Sequence, residues 1–429
     1  MPDDGVVACG QFEGIVSRLQ PAQHGADILA GRRPRCSRLL ARNRNRTADS
    51  GRAPAVSPHA AIISLVTRRF SVPARLGLAL LFFFALDALA FRTGWYVSIL
   101  EPNSTAGFLE TYLNIEARRP VGRYRQVVAV GDSRMGLKSR VANLLTGNTG
   151  CAFGTISVPG TTPRCWYYML REIDPDCDRY DAILVPLDSY DDRNWENMAD
   201  RDLDINYLTP LLRVADLPRF VLSYPGWSNR AHAAEAVLLK GLVYQHDFQA
   251  FLEHPRTRLE YVRLQEEHAR EWYYNAVWER HSLAGMSVDW NTKTAVLPAW
   301  LTPEKRYEIE HTLLDDPPPD SPDYARYRRK WLGAILDRYR GSRTRFLFLR
   351  LPRGPVVRPD PLPPDPSSSI RQFAAAGRVE LLPEHLFDSL ERPELFGDAL
   401  HVNEEGGYQF SMMLAGEIGR VLGAAPEGH

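Results

Sequence analysis

Four short aliphatic runs constrain this chain more than anything else in it: Val127–Val130, Ala182–Val185, Phe346–Leu349 and Val379–Leu382, each bounded by turn-forming residues. Runs this short and largely without polar alternation suit strands buried on both faces, because a half-exposed strand would alternate apolar and polar residues. The stretches between them have room for helices. A chain that alternates strand and helix in this way forms a parallel sheet with helices over both faces. Open parallel sheets place their reactive groups at the carboxyl ends of the strands, so the residues just after each run come first.

The first run ends in Gly131-Asp132-Ser133-Arg134-Met135-Gly136, and the following residues read as a helix through Leu145. A serine at a strand-to-helix turn has its hydroxyl at the sheet edge, with backbone N–H groups close enough to receive a developing oxyanion. Glycine on each side lets the chain turn sharply. Alone this motif is weak, since a serine ahead of a helix is commonly only its cap. Near the C-terminal end stands Asp398-Ala-Leu-His401, followed by Val402, Asn403 and a helix whose apolar face is Phe410, Met413, Leu414, Ile418 and Val421. A serine nucleophile needs a base to take its proton, and an imidazole needs a carboxylate to hold its tautomer. Asp398 and His401, three residues apart in one loop, supply both, and Asn403 is expected to cap the helix that follows.

A strand followed by Gly-Asp-Ser near the start of a domain, with Asp-x-x-His near its end, resembles the SGNH/GDSL hydrolase superfamily over about residues 122 to 425. The resemblance implies a flavodoxin-like three-layer α/β/α fold with a parallel sheet. It also implies the chemistry of esterases, lipases, deacetylases and envelope O-acyltransferases. By the same resemblance Ser133 is the nucleophile, His401 the base and Asp398 its orienting carboxylate. Val158-Pro159-Gly160-Thr161-Thr162 matches the family's second block and implies that the Gly160 N–H joins that of Ser133 in an oxyanion hole, against the plainer role of a Pro-Gly turn. The third block departs from the family's Gly-x-Asn-Asp. Val185-Pro-Leu-Asp-Ser-Tyr-Asp191 puts Tyr190 where the asparagine is expected, and a phenol can still donate a hydrogen bond. Arg350 and Arg353, after the third run, are candidates for binding an anionic sugar or donor, against ordinary surface arginines. A cation site at Asp188, Asp191 and Asp192 is set aside in favour of a solvated acidic loop, and no metal or cofactor is expected.

The segment Leu76–Phe91 is apolar, follows Arg68, Arg69 and Arg75, is interrupted by Asp87 and ends at Arg92. It is near the lower length limit for a membrane span, and the basic flank orients the remainder outward. Residues 76–96 are therefore expected to be a transmembrane anchor or signal segment, with 110–429 forming an extracytoplasmic domain, periplasmic or at the cell surface. Ala88-Leu89-Ala90 fits a signal-cleavage pattern, and a buried core helix is the third alternative. Residues 1–67 show no sustained periodicity, carry seven arginines between Arg32 and Arg46, and are expected to be a disordered tail. An insertion, 193–340, holds seven tryptophans and a helical stretch from Ala231 to about His281, and is expected to cap the sheet edge. Its indoles are expected to fill core or to present a sugar-stacking or membrane-facing surface.

Lys plus Arg and Asp plus Glu both total 52, so net charge gives no case for nucleic-acid binding. Five cysteines without C-x-x-C spacing argue against zinc; a Cys165–Cys177 bridge and buried thiols both remain open. The expected function is a membrane-anchored serine esterase or O-acyltransferase acting on acyl esters of cell-envelope carbohydrate. The competing expectations are a non-catalytic glycan-binding or assembly protein with a degenerate site, and a soluble lipase with the apolar segment in its core.

Overall fold

A computed structural model describes residues 72–135, 146, 149–192, 198–271, 280–316, 322–359 and 363–423. The expected tail 1–67 and the expected helix from Gly136 to Leu145 lie outside the described residues.

Five strands form one all-parallel sheet: β1 (Arg125–Gly131), β2 (Cys151–Ser157), β3 (Ala182–Leu187) and, beyond a small hairpin of β4 (Ser287–Asp289) and β5 (Thr294–Val296), β6 (Arg345–Arg350) and β7 (Glu380–Leu381). Their spatial order is β2-β1-β3-β6-β7, the flavodoxin-like order, which reverses between β1 and β3. β2 is not among the four aliphatic runs. Gly154, Thr155 and Ser157 interrupt its apolar character, yet all three are buried, the hydroxyl of Thr155 donating to that of Ser157 at 2.9 Å.

The helices of the described residues are α1 (Val72–Phe91), α2 (Thr105–Ala117), α3 (Pro163–Ile173), α4 (Leu203–Leu208), α5 (Leu217–Val221), α6 (Trp227–Leu238), α7 (Lys240–Val243), α8 (Gln245–Glu253), α9 (Pro255–Glu271), α10 (Pro303–Leu314), α11 (Pro322–Arg338), α12 (Ser369–Ala375) and α13 (Glu404–Leu422). Successive strand side chains point to opposite faces, so each strand feeds two cores. Val128, Val130, Ile183, Val185, Phe346 and Phe348 pack with the helix residues Met169, Tyr327 and Trp331. Val127, Ala129, Ala182, Leu184, Leu347 and Leu349 pack with Phe410, Leu414 and Ile418 of α13. The fold is a three-layer α/β/α arrangement.

The insertion contributes to both cores. Ile205, Leu208, Phe220, Ala233 and Val237 join the first core, while Met286, Leu297, Leu301 and Ile309 join the second. α11 is one of the flanking helices itself, with Trp331 fully buried. The expected helical stretch 231–281 is broken at Leu239, Tyr244 and His254, the last immediately ahead of Pro255, whose ring and missing N–H forbid continuation of the preceding helix. Trp227 and Trp300 are exposed, Trp290 is half-buried, and Trp195, Trp272 and Trp278 lie outside the described residues. Cys151, Cys165 and Cys177 are free thiols, so there is no Cys165–Cys177 bridge. The compact unit that contains the sheet begins at Phe84, well before residue 110, and takes in the last turns of α1.

Asn403 caps α13, accepting from the Gly406 N–H at 3.0 Å and donating to the Glu394 carbonyl at 2.8 Å. Asn403→Ala should therefore lower unfolding free energy by about 1–2 kcal/mol, read from the urea midpoint at constant m-value.

Candidate active site

Ser133 stands two residues past the end of β1 at the point where the strand order reverses. β1 pairs with β2 along its whole length, but with β3 only from Val127 to Ala129. Beyond that the β3 edge facing β1 needs no N–H, which is why Pro186 is tolerated in a central strand. Pro186 in turn presses on the strand end. A Cβ at Gly131, where φ is +159°, would lie 2.6 Å from the Pro186 ring and 2.8 Å from Met135 Cβ, so only glycine fits. Ser133–Met135 then form a single tight turn, with Asp132 accepting the Arg134 N–H at 2.9 Å.

His401 arrives from the other end of the chain. Its loop is closed by the Phe396–Val402 bridge, by the Gly397 N–H on the His401 carbonyl at 3.0 Å, and by the Asn403 cap. Asp398 Oδ1 accepts the backbone N–H groups of Leu400 and His401 at 2.8 and 2.7 Å. His401 Nδ1 lies 2.9 Å from Asp398 Oδ2, and Nε2 lies 2.7 Å from Ser133 Oγ. A carboxylate at Nδ1 assigns the proton there and leaves the Nε2 lone pair facing the hydroxyl. Burial alone would raise the Asp398 carboxyl, but the His401 ring and the N–H donors more than offset it and hold it below the usual carboxylate range.

The Pro159-Gly160 turn sits beside this strand end. Val158 N–H and Thr161 Oγ1 both donate to the Gly131 carbonyl, at 3.0 and 2.8 Å, and Thr161 N–H closes the turn on the Val158 carbonyl at 3.2 Å. Gly160 has φ +69°, as the third position of a Pro-Gly turn requires. Neither its N–H nor that of Ser133 meets an acceptor among the described residues. Below the turn, Thr162 donates to Asp204 at 2.7 Å and Arg164 pairs with Asp204 at 3.2 Å, both charged side chains fully enclosed and the guanidinium carbon 3.8 Å from the Tyr224 ring centroid. Burial pushes the Asp204 carboxyl up despite Arg164, so this pair serves better to place the turn than to stabilise the fold.

Tyr190 is not an oxyanion donor. Its hydroxyl is buried against the Phe348 and Leu382 carbonyls, at 3.0 and 2.9 Å, on the core side of the sheet. The expectation for Arg350 and Arg353 also fails. Arg350 is buried, bonded to the Glu384 carbonyl at 2.6 Å and paired with Asp388 and Glu391; Arg353 grips Glu391 through two nitrogens, at 2.9 and 2.6 Å. Their charge is spent holding the loop after β7. The acidic loop is not simply solvated either: Asp191 pairs with Arg371 and Asp192 with Arg328, each at 3.3 Å.

Two site residues had no signal in the sequence. Arg134 grips Asp132 at 2.5 Å and also pairs with Asp188, tying the serine turn to the end of β3. Burial opposes charge at Asp132, yet Arg134 outweighs it and holds the carboxyl below its usual range. Arg201 lies over Gly160, its Nη2 only 3.1 Å from where a Cβ would stand. In a chain whose 52 basic residues include five lysines, a single arginine is invisible as a motif. A cleft of about 10 Å³ beside the triad is lined by Arg134, Leu351, Pro352, Leu400, Val402 and Phe410. A larger one, about 590 Å³, includes Arg125, Asp181 and Arg343, at the amino ends of β1, β3 and β6, a strand's length from Ser133 and with no serine, threonine or cysteine in its lining.

No family model matches this chain, and neither does any curated protein.

Asp398 and Asp132 both have depressed folded values. Their stabilisation is fully present above the ordinary carboxylate pKa and is lost as pH falls through the lower folded ones. Urea unfolding of the wild type should therefore weaken below about pH 4, and Asp398→Asn should flatten that acid slope while lowering stability at neutral pH.

Proposed function

We propose that this chain is a membrane-anchored, extracytoplasmic serine esterase or O-acyltransferase of the SGNH/GDSL kind, acting on acyl esters of cell-envelope carbohydrate. The observation that carries the proposal is the unbroken hydrogen-bonded series Ser133–His401–Asp398 at the carboxyl end of a parallel sheet, where the strand order reverses. The outward location rests on the arginines ahead of the apolar helix.

In this mechanism Ser133 Oγ attacks the ester carbonyl carbon as its proton passes to His401 Nε2, and Asp398 stabilises the resulting imidazolium. The carbonyl oxygen, now negative, accepts the Ser133 and Gly160 N–H groups. Collapse returns the proton from His401 to the departing alkoxide and leaves an acyl-serine. A water or a sugar hydroxyl, deprotonated by the same imidazole, then takes the acyl group and regenerates Ser133. Hydrolysis and transfer share the first half-reaction and differ only in this acceptor. With Tyr190 turned to the core, two backbone donors remain, and one donor of this kind is worth about 3 kcal/mol of transition-state stabilisation. Modest turnover is the consequence, and the same missing donor favours the second reading, a glycan-binding protein without turnover.

A fluorophosphonate probe should label the wild type at Ser133. Ser133→Ala should abolish the labelling, and His401→Ala should slow it by about 10³-fold or more. A folded wild-type protein that the probe leaves untouched would favour the binding protein. With p-nitrophenyl acetate as donor and an oligosaccharide present, free acetate as the product then marks hydrolysis and acetylated oligosaccharide, read by mass, marks transfer.

A further inference from the structure

α1 is long and apolar enough to cross a membrane, yet its last turn is not free. Asp87 is buried, its Oδ1 accepting the Gly241 N–H at 2.7 Å while Arg92 lies 3.9 Å from Oδ2. Phe91 is enclosed by aromatic rings, with centroids 5.0 Å away at Tyr96, 5.8 Å at Tyr244 and 5.4 Å at Phe248. Arg92 donates to the Val237 carbonyl, and the Trp95 indole N–H turns back to the Leu89 carbonyl at 3.3 Å. α7 approaches so closely that a Cβ on Gly241 would lie 2.8 Å from the Phe91 ring. Residues 87–91 are thus packed with α6, α7 and α8. The Ala88-Leu89-Ala90 sequence falls inside this join, and cleavage after Ala90 would place a charged amino terminus on Phe91 among those rings. The packing therefore favours an uncleaved helix.

The surface around the join is apolar: Trp95, Leu238, Leu242 and Leu252 are 46%, 38%, 41% and 61% exposed. They lie just after α1, at the end of α6, on α7 and on α8, the elements that hold Asp87 and Phe91. A tryptophan beside a helix exit suits the headgroup level, where one edge of the indole is wet and the rest apolar.

We infer that this collar of Trp95, Leu238, Leu242 and Leu252 is a lipid-binding surface that sinks to the headgroup–acyl boundary of the same bilayer that α1 enters. Amphipathic surfaces seat about 5–10 Å deep there. The domain then touches the membrane through this surface in addition to the retained helix.

The test uses the full chain in phosphatidylethanolamine–phosphatidylglycerol vesicles, with Cys9, Cys36 and Cys177 replaced by serine. An environment-sensitive fluorophore is attached at Leu252→Cys or, as a control, at Trp227→Cys, the exposed far end of α6 about 16 Å from Leu238 along the helix. With nitroxide lipids labelled high on the acyl chain, the probe at position 252 should shift to the blue and lose most of its emission, while that at 227 stays unquenched. Equal behaviour at the two positions would overturn the proposal. Label-free support comes from the mass of the membrane-bound chain: a product starting at Phe91 would also overturn it. Neither readout depends on the chemistry of Ser133.

Discussion

The hydrogen-bonded ladder that holds β1 between β2 and β3 decides where the Ser133 turn leaves the sheet. It runs the full length of β1 on the β2 side but stops at Ala129 on the β3 side. The carboxyl end of β1 therefore lies beside an edge without a ladder, where Pro186 blocks any further pairing and leaves room only for glycine at 131. Ser133 emerges at that break. The Gly160 turn reaches it because both Val158 and Thr161 bond to the Gly131 carbonyl. One strand end thus places the Ser133 hydroxyl beside the Gly160 turn, and the capped start of α13 holds the His401 imidazole 2.7 Å from that hydroxyl.

Charge around the site is handled by pairing. Arg134 sits between Asp132 and Asp188, Arg164 is enclosed with Asp204, and Arg328 and Arg371 take up Asp192 and Asp191. Each pair spares a group the large cost of being buried alone, and each joins two segments that are distant in sequence. Arg350 and Arg353 follow the same logic on the loop after β7. Their grip on Asp388 and Glu391 explains why arginines at a strand end are not a substrate-binding pair.

The same economy appears where α1 meets the domain. A buried carboxylate on a largely apolar helix would be costly if left alone, and here Asp87 receives a backbone N–H and has the Arg92 guanidinium 3.9 Å away.

The three-layer fold was legible in the sequence because strands buried on both faces are mostly apolar throughout, and Val127–Val130, Ala182–Val185 and Phe346–Leu349 meet that demand without help from context. β2 escaped because Gly154, Thr155 and Ser157 satisfy burial through local hydroxyl bonding, which leaves no apolar run. Ser133, Asp398 and His401 could be picked out as candidates because a hydroxyl at a strand-to-helix turn and an Asp-x-x-His loop are recognisable in sequence, and Gly160 only through the family resemblance. Their convergence, the retreat of Tyr190 into the core, the pairing of Arg350 and Arg353, and the roles of Arg134 and Arg201 were decided by tertiary structure alone. A side chain's partner depends on which segments fold against it, and long-range contacts leave no periodic trace along the chain.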